Sequence, residues 1–265
     1  MSIVPSFETL NTWADRLAAT AEAAGRAILE VRARGFETFE TADASPVTAA
    51  DRIAEVIVVG EIERFEPRFP VVAEERMAEG AAPAFEGRDF WLIDALDGTR
   101  EFVKGGSDFT VNVALICGGS PMLGVVHAPA RAETYVGVLD PSGGARRAEV
   151  RRGGATSALG VCKRAARVIV AGSRSHEVEG EMSAFLKGYD VADRVVVGSS
   201  IKFCMVAEGR ADLYPRFGPT SEWDTAAGHA VLRAAGGRVH TFDGVELAYK
   251  KPSFRNGRFL AEGSP

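Results

Sequence analysis

FWLIDALDGTREF, residues 90–102, decides how the rest of the chain is read. The apolar run 90–93 has the composition of a buried strand. It ends on Asp94, a second acid follows at Asp97, and Gly98 and Thr99 complete a turn. By itself D-x-x-D-G also fits a capped turn, with Asp97 as the cap and Gly98 supplying positive φ. Asp94 is harder to accommodate, because an unpaired carboxylate at the end of a buried strand is costly. A divalent cation would resolve the difficulty. It neutralises both acids and takes oxygen ligands, including a backbone carbonyl such as that of Leu96. Gly98 and Thr99 would then offer N–H groups to an anion.

Three further acids share that look. Glu74 ends the short apolar stretch FPVVAEE, Asp224 follows Trp223 at the start of a helical pattern in EWDTAAG, and Asp51 falls at the third position of a helix that Thr48 caps. Taken singly, each reads as a solvated strand end or a first-turn acid favoured by the helix dipole. Taken together they supply enough carboxylates for two or three Mg²⁺ ions.

Outward from these acids, the chain alternates between two textures. Leu10, Trp13, Leu17, Ala21, Ala24, Ile28 and Val31 recur at helical spacing over 7–33, and Gly35 ends that helix. A second helix is expected from Thr48 to about Phe65. Residues 108–151 read as four strands, DFTVNVALI, MLGVVHAPA, ETYVGVLD and GARRAEVRR, separated by turn residues, which is an antiparallel meander. After that, strands RVIVAGS, DRVVVGSS, ADLYPRF and GRVHTF alternate with helical segments. The expected organisation is an α+β subdomain over 1–157 and an α/β subdomain over 158–265.

The composition is that of an ordinary soluble globular protein, with 46% hydrophobic and 25% charged residues. A formal net charge of −5 disfavours nucleic acid as a partner. The three cysteines form no C-x-x-C pair, which suits a reducing compartment, with Cys117 and Cys204 as core residues. No stretch reaches the roughly 18 apolar residues of a membrane span, and residues 1–17 lack the pattern of a signal peptide. A cytoplasmic location is expected, compatible with peripheral association at the inner membrane. Charge and pattern leave monomer and homodimer open.

VTAAD, AEE, WLIDALDGTREF and EWDTAAGHAVLRAAGG, in this order, resemble the motifs of the inositol monophosphatase superfamily, the lithium-sensitive, Mg²⁺-dependent phosphatases. The resemblance covers nearly the whole chain. It departs from the usual pattern at Ala95, where the superfamily commonly has Pro, and before Pro46, where Glu40, Thr41, Ala42 and Asp43 stand in place of a Lys-bearing segment. The resemblance implies a layered αβαβα sandwich. It implies that Glu74, Asp94, the Leu96 carbonyl and Asp97 hold Mg²⁺, and that Asp224 is shared with a second ion. It further implies that Gly98 and Thr99 cradle the phosphate, and that Asp51 and Thr99, with Glu74, activate the metal-bound water.

Specificity should lie in the second half. DGTREF, GSRSH (172–176), GSSIKF (198–203) and YPRFGPTSEWD (214–224) look like the bacterial 3'(2'),5'-bisphosphate nucleotidases, which release the 3'-phosphate of adenosine 3',5'-bisphosphate, a by-product of sulfate assimilation. Arg174, Lys202 and Arg216 are cations suited to a second anionic group. Ser199 adds a hydroxyl near a helix start, and His176 or Phe217 is a candidate for the base or ribose. The expected partner is therefore a small phosphate ester, a nucleotide bisphosphate. An inositol-1-phosphate or histidinol-phosphate phosphatase is the alternative of the same chemistry. A catalytically idle regulatory protein is the alternative of another class.

Overall fold

The computed structural model describes residues 4–40, 46–81, 83–87, 89–173 and 179–264. The chain opens with α1 (Phe7–Arg34), capped by the Ser6 side chain and closed by Gly35 at φ 82°. Strands β1 (Thr38–Glu40) and β2 (Pro46–Thr48) pair antiparallel and lead into α2 (Ala49–Ile62). Thr48 and Asp51 form a capping box there, as the spacing predicts. β3 (Val71–Ala73) follows, then the one-turn helix α3 (Glu74–Ala78), β4 (Phe90–Asp97) and the short α4 (Thr99–Val103). The meander is β5 (Thr110–Cys117), β6 (Ser120–Ala128), β7 (Glu133–Leu139) and β8 (Arg146–Arg152), extended by β9 (Ala155–Ala158).

The second half runs β10 (Arg167–Gly172), α5 (Glu179–Leu186), β11 (Asp190–Val196), α6 (Ile201–Ala207), β12 (Leu213–Arg216), β13 (Thr220–Ser221), α7 (Trp223–Ala234), β14 (Arg238–His240), β15 (Arg255–Asn256) and β16 (Phe259–Glu262). β3 to β9 form one seven-stranded sheet in chain order. β11-β10-β12-β16-β14 form a second, and β13 pairs with β15.

Strand alternation sorts the core into layers. On β4, Trp91 and Ile93 face α1 and α2, where Leu10, Trp13, Leu17, Ala21 and Val58 bury with them. Phe90 and Leu92 point the other way, into a core shared with Phe203 of α6, Val231 of α7 and Phe259 of the second sheet. On the far face of that sheet Val168, Val170, Leu213 and Leu260 pack against Phe185 and Leu186 of α5. The order is helices, sheet, helices, sheet, helix, the five-layered αβαβα arrangement. α7 lies so close on the first sheet that a Cβ at Gly124 or Gly137 would stand 2.4 Å from the Ala227 carbonyl oxygen or 2.5 Å from Val231 Cα. Small residues there set the spacing of the middle layer.

β16 has no counterpart in the periodicity of the sequence. Its four residues are buried throughout, between β12 and β14, so it shows no alternation.

Candidate active site: a carboxylate cluster between the two sheets

The even-numbered face of β4 turns polar at its end. Asp94 stands opposite Asn112 of β5, and Asp97 stands opposite Thr110, so three residues of β4 match two of β5. This bulge shifts the side-chain alternation by one, bringing Asp97 to the side that Asp94 occupies. Gly98 then takes φ 92°, and any Cβ there would meet the Asp108 carbonyl oxygen at 2.6 Å. The chain turns into α4 at once, with Thr99 as its first residue. The D-x-x-D-G-T spacing is thus a bulge followed by a left-handed turn.

Neighbouring elements bring in the other acids. β3 ends at Ala73, so Glu74 and Glu75 form the first turn of α3 rather than extending the strand. Buried Glu55 accepts from the Glu75 N–H at 2.9 Å and occupies one of the free donors that a helix start exposes. Asp224 is the second residue of α7, whose N-cap is Glu222, and it accepts from the Ser221 N–H at 2.8 Å. Asp51 takes the Thr48 N–H and hydroxyl on one oxygen, at 2.7 and 2.8 Å. On the other it takes the Thr99 hydroxyl at 3.1 Å. The Thr99 hydroxyl also reaches the Leu96 carbonyl at 3.0 Å.

The electrostatics show how tightly these acids gather. Burial pushes the Asp94 carboxyl far above the usual range, and Glu74, Asp97 and Asp224 push it further. Glu74 is raised in the same way, by burial first and then by Asp224 and Glu75. Asp224 is pushed up to about 7 by burial and Asp97, and Glu75 to about 7 by burial and Asp51. Burial raises Asp51 against its hydrogen bonds to Thr48 and Thr99. Among the described residues no three His, Cys, Asp or Glu side chains are already arranged to hold a metal ion. The donor set nonetheless fits a hard divalent cation, being all oxygen and built of four clustered carboxylates.

Asp97 is anchored differently. Its Oδ2 accepts from the Ser199 hydroxyl and the Ser200 N–H, both at 2.7 Å, and from the Asn112 amide at 3.4 Å. Ser200 also donates to Asn112 at 2.7 Å, and Thr110 lies in contact with both serine hydroxyls. Ser199 holds φ 59° to make this turn, and its hydroxyl is engaged by Asp97. Motif reading passed over Thr110 and Asn112. The signal was there, because both share the buried face of DFTVNVALI with Ala114 and Ile116, where polar residues are out of place.

Two of the three expected cations fall within the described residues. Lys202 is 3% exposed and donates to the Ser199 carbonyl at 2.6 Å and the Val197 carbonyl at 3.3 Å. Burial pushes its ammonium down to about 8. Asp97 opposes that shift and Arg216 adds to it, so the two cations stand close together beside the acids. Arg216 donates to the carbonyls of Gly218 and Pro219, both at 3.0 Å, and to the Ser173 hydroxyl at 3.4 Å. Arg174 and His176 lie outside the described residues, as do Thr41, Ala42 and Asp43. Phe217 packs on the α5 side of the second sheet, stacked on Phe242 at 5.2 Å and edge-on to Phe185 at 6.0 Å. Strand alternation turns it away from Arg216, so it joins the α5 layer. His127, His229 and His240 hydrogen bond to Thr134, Tyr249 and Glu262, in structural settings.

Fold and site together define a five-layered α/β protein built around an oxygen-only carboxylate cluster between its sheets. The chain belongs to the inositol monophosphatase family, whose model matches residues 10–263. The 3'(2'),5'-bisphosphate nucleotidase CysQ of Escherichia coli K12 is 41% identical over 252 residues, covering 92% of this chain and 97% of that one. The CysQ of Salmonella typhimurium LT2 is 43% identical over 243 residues, covering 89% and 94%. Among solved structures, CysQ from Bacteroides thetaiotaomicron superposes with a TM-score of 0.79 at 34% identity, covering 96% of this chain and 98% of its own. An inositol monophosphatase from Anabaena gives a TM-score of 0.75 at 26% identity, covering 96% and 92%.

Proposed function

We propose that this protein is a Mg²⁺-dependent phosphomonoesterase that hydrolyses the 3'-phosphate of adenosine 3',5'-bisphosphate, giving AMP and phosphate. The observation that carries this reading is the pairing of a four-carboxylate cluster with the buried cations Lys202 and Arg216 beside it. The cluster suits the phosphate that is cleaved, and the cations suit one that is kept. The activity borne in the names of relatives that align with about nine tenths of the chain supports the same substrate.

Glu74, Asp94, Asp97 and Asp224, with the Leu96 carbonyl, would hold the ions. Bound Mg²⁺ lowers the pKa of water, neutralises the ester's charge and stabilises the leaving alkoxide. Asp51 serves as proton acceptor. Thr48 locks one of its oxygens, the other faces the Thr99 hydroxyl, and burial makes it a stronger base than an exposed carboxylate. A proton taken up at Thr99 Oγ passes to Asp51 Oδ1 along that hydrogen bond. Gly98 and Thr99 offer backbone N–H groups to the phosphate, and the shared turn fixes phosphate and proton acceptor relative to each other. On this reading the protein serves sulfur assimilation and is inhibited by lithium.

The test is phosphate release with Mg²⁺ from adenosine 3',5'-bisphosphate, inositol 1-phosphate, histidinol phosphate and fructose 1,6-bisphosphate. The nucleotide should lead in kcat/KM by orders of magnitude. A lead for inositol 1-phosphate or histidinol phosphate would leave the carboxylate cluster in place and remove the nucleotide assignment.

A further inference from the structure

Asp94 and Asp97 lie on β4 and Glu74 directly follows β3, whereas Asp224 opens α7 and takes its support from elsewhere in the chain. Its carboxylate is held by the Ser221 N–H at 2.8 Å. What holds Ser221 is a segment far along the chain, residues 249–256. Asn256 donates to the Ser221 carbonyl at 3.0 Å and to the Thr225 hydroxyl at 2.9 Å. Its own carbonyl accepts from Lys251 Nζ at 3.0 Å. Lys251 Nζ further donates to Glu222 at 3.1 Å and to the Ala248 carbonyl. All three of its hydrogens therefore have acceptors.

Glu222 is wholly buried and also accepts the backbone N–H groups of Lys250 and Lys251, at 2.8 and 2.9 Å, while its own N–H goes to the Phe254 carbonyl at 2.8 Å. Strand pairing completes the contact, Thr220 with Asn256 and Ser221 with Arg255. Lys250 Nζ ties the segment to the carbonyls of Phe85 and Gly87, both at 2.7 Å. Lys250 and Phe254 adopt φ 70° and 51°, conformations uncommon for residues with side chains. Such density of bonding exceeds what a surface connection between two strands requires.

We propose that residues 249–256 form a strap that sets the position of Asp224, with Lys251 and Asn256 as positioning residues for the divalent cation that Asp224 faces. The line of transmission runs from Lys251 to Asn256, to the Ser221 carbonyl, and from the N–H of that same residue to the Asp224 carboxylate. Each link is a hydrogen bond from a buried or half-buried donor. Groups that orient a metal's direct ligands are commonly worth about 10–100-fold in metal affinity. The inference rests on the reading that the carboxylate cluster binds Mg²⁺.

The experiment uses the full chain with Mg²⁺ as the sole added ligand and reads Tm against Mg²⁺ concentration. Asn256→Ala, Lys251→Met, Lys251→Arg and Asp224→Asn are compared with the unaltered protein. Asn256→Ala and Lys251→Met should each need about tenfold more Mg²⁺ for the same rise in Tm. Their kcat should recover to within a few-fold once Mg²⁺ saturates, and Lys251→Arg should restore much of the Mg²⁺ dependence. The strap is refuted if Asn256→Ala lowers Tm without Mg²⁺ but leaves the Mg²⁺ dependence unchanged. Asn256→Ser, too short to span Ser221 and Lys251 together, carries the same test should Asn256→Ala fail to fold. Asp224→Asn separates the two levels. If it weakens Mg²⁺ binding while Asn256→Ala does not, the strap alone is wrong; if it leaves Mg²⁺ binding intact, the cation reading falls and the strap with it.

Discussion

The acid wall of Glu74, Asp94, Asp97 and Asp224 and the cation pair of Lys202 and Arg216 lie side by side but are built on opposite plans. Asp94, Asp97 and Asp224 each have one oxygen fixed by nearby N–H or hydroxyl groups: Leu96 for the first, Ser199, Ser200 and Asn112 for the second, Ser221 for the third. Geometry is satisfied there and charge is not, since Asp94, Glu74 and Asp224 are each raised by burial and by neighbouring acids. Lys202 and Arg216 are the reverse. Their donors go largely to backbone carbonyls, with Ser173 and Tyr214 also taking Arg216, which leaves about one N–H of each for anything else. On the proposed reading the acid side takes up a cation directly. The basic side acts first as a source of positive potential and only second as a hydrogen-bonding hook.

The sharpest way to break this contrast is to remove an acid. Asp94→Asn should lower kcat by about three orders of magnitude or more, as loss of several kcal/mol of metal assistance implies. It should also raise the Tm of the metal-free protein by relieving like-charge repulsion. Phosphate release and thermal melting without Mg²⁺ check the two halves; near-normal turnover would remove Asp94 from the site. Thr99→Ala comes next, with a loss of about two orders of magnitude in kcat and little change in KM. A comparable rise in KM would make Thr99 a binding residue instead.

On the basic side effects should be smaller and confined to one kind of substrate. Lys202→Met should raise KM for adenosine 3',5'-bisphosphate by about one to two decades, the worth of a charged hydrogen bond. A monophosphate should be handled as before. Because Lys202 is pushed down to about 8, its charge is lost as pH rises through that value. The unaltered protein should therefore bind the bisphosphate more weakly above pH 8, and Lys202→Met should not show that step. A Lys202→Met protein with unchanged KM would assign the second anion to other groups.

How much of this could be read from the chain depended on whether a residue's role was local. The α1 stripe, the Thr48 to Asp51 capping box and the strands of the meander follow from periodicity and turn chemistry alone. So does the tension at Asp94, a charge ending an apolar run. The bulge that brings Asp97 beside it depends on the register with β5, and register is a relation between strands. For the same reason Ser199 looked like an anion-binding hydroxyl from its place near a helix start, and the fold gives that hydroxyl to Asp97. Lys251 and Asn256 carried no motif, and Glu222 stood in EWDTAAG only as a neighbour of Asp224, because their purpose lies in contacts some 30 residues apart in the chain. β16 escaped notice since burial on both faces erases the alternation by which strands are recognised.

The smallest effect sharpens the contrast most, because it separates charge from geometry without a mutation. Asp224 and Glu75 are pushed up to about 7, and Glu74 and Asp94 are raised as well. A carboxyl whose proton affinity is higher in the folded than in the unfolded chain stabilises the fold below its unfolded pKa, and that stabilisation is lost as pH rises through the folded value. The metal-free protein should therefore melt at lower temperature at pH 8 than at pH 6.5. His127, pushed down to about 4 by burial, has the opposite sign but acts below its ordinary pKa of about 6.5. Lys202 contributes only from about pH 8 upward, so the window between belongs to the acids. Mg²⁺ needs the same carboxylates deprotonated, so saturating Mg²⁺ should raise Tm more at pH 8 than at pH 6.5 and reverse the slope. The expected shifts are a few degrees, at about 2–4 °C per kcal/mol for a chain of this size. Asp224→Asn should flatten both slopes. A metal-free Tm that climbs steadily from pH 6.5 to 8 would mean that the acid wall carries no unrelieved charge, and its contrast with the cation pair would disappear.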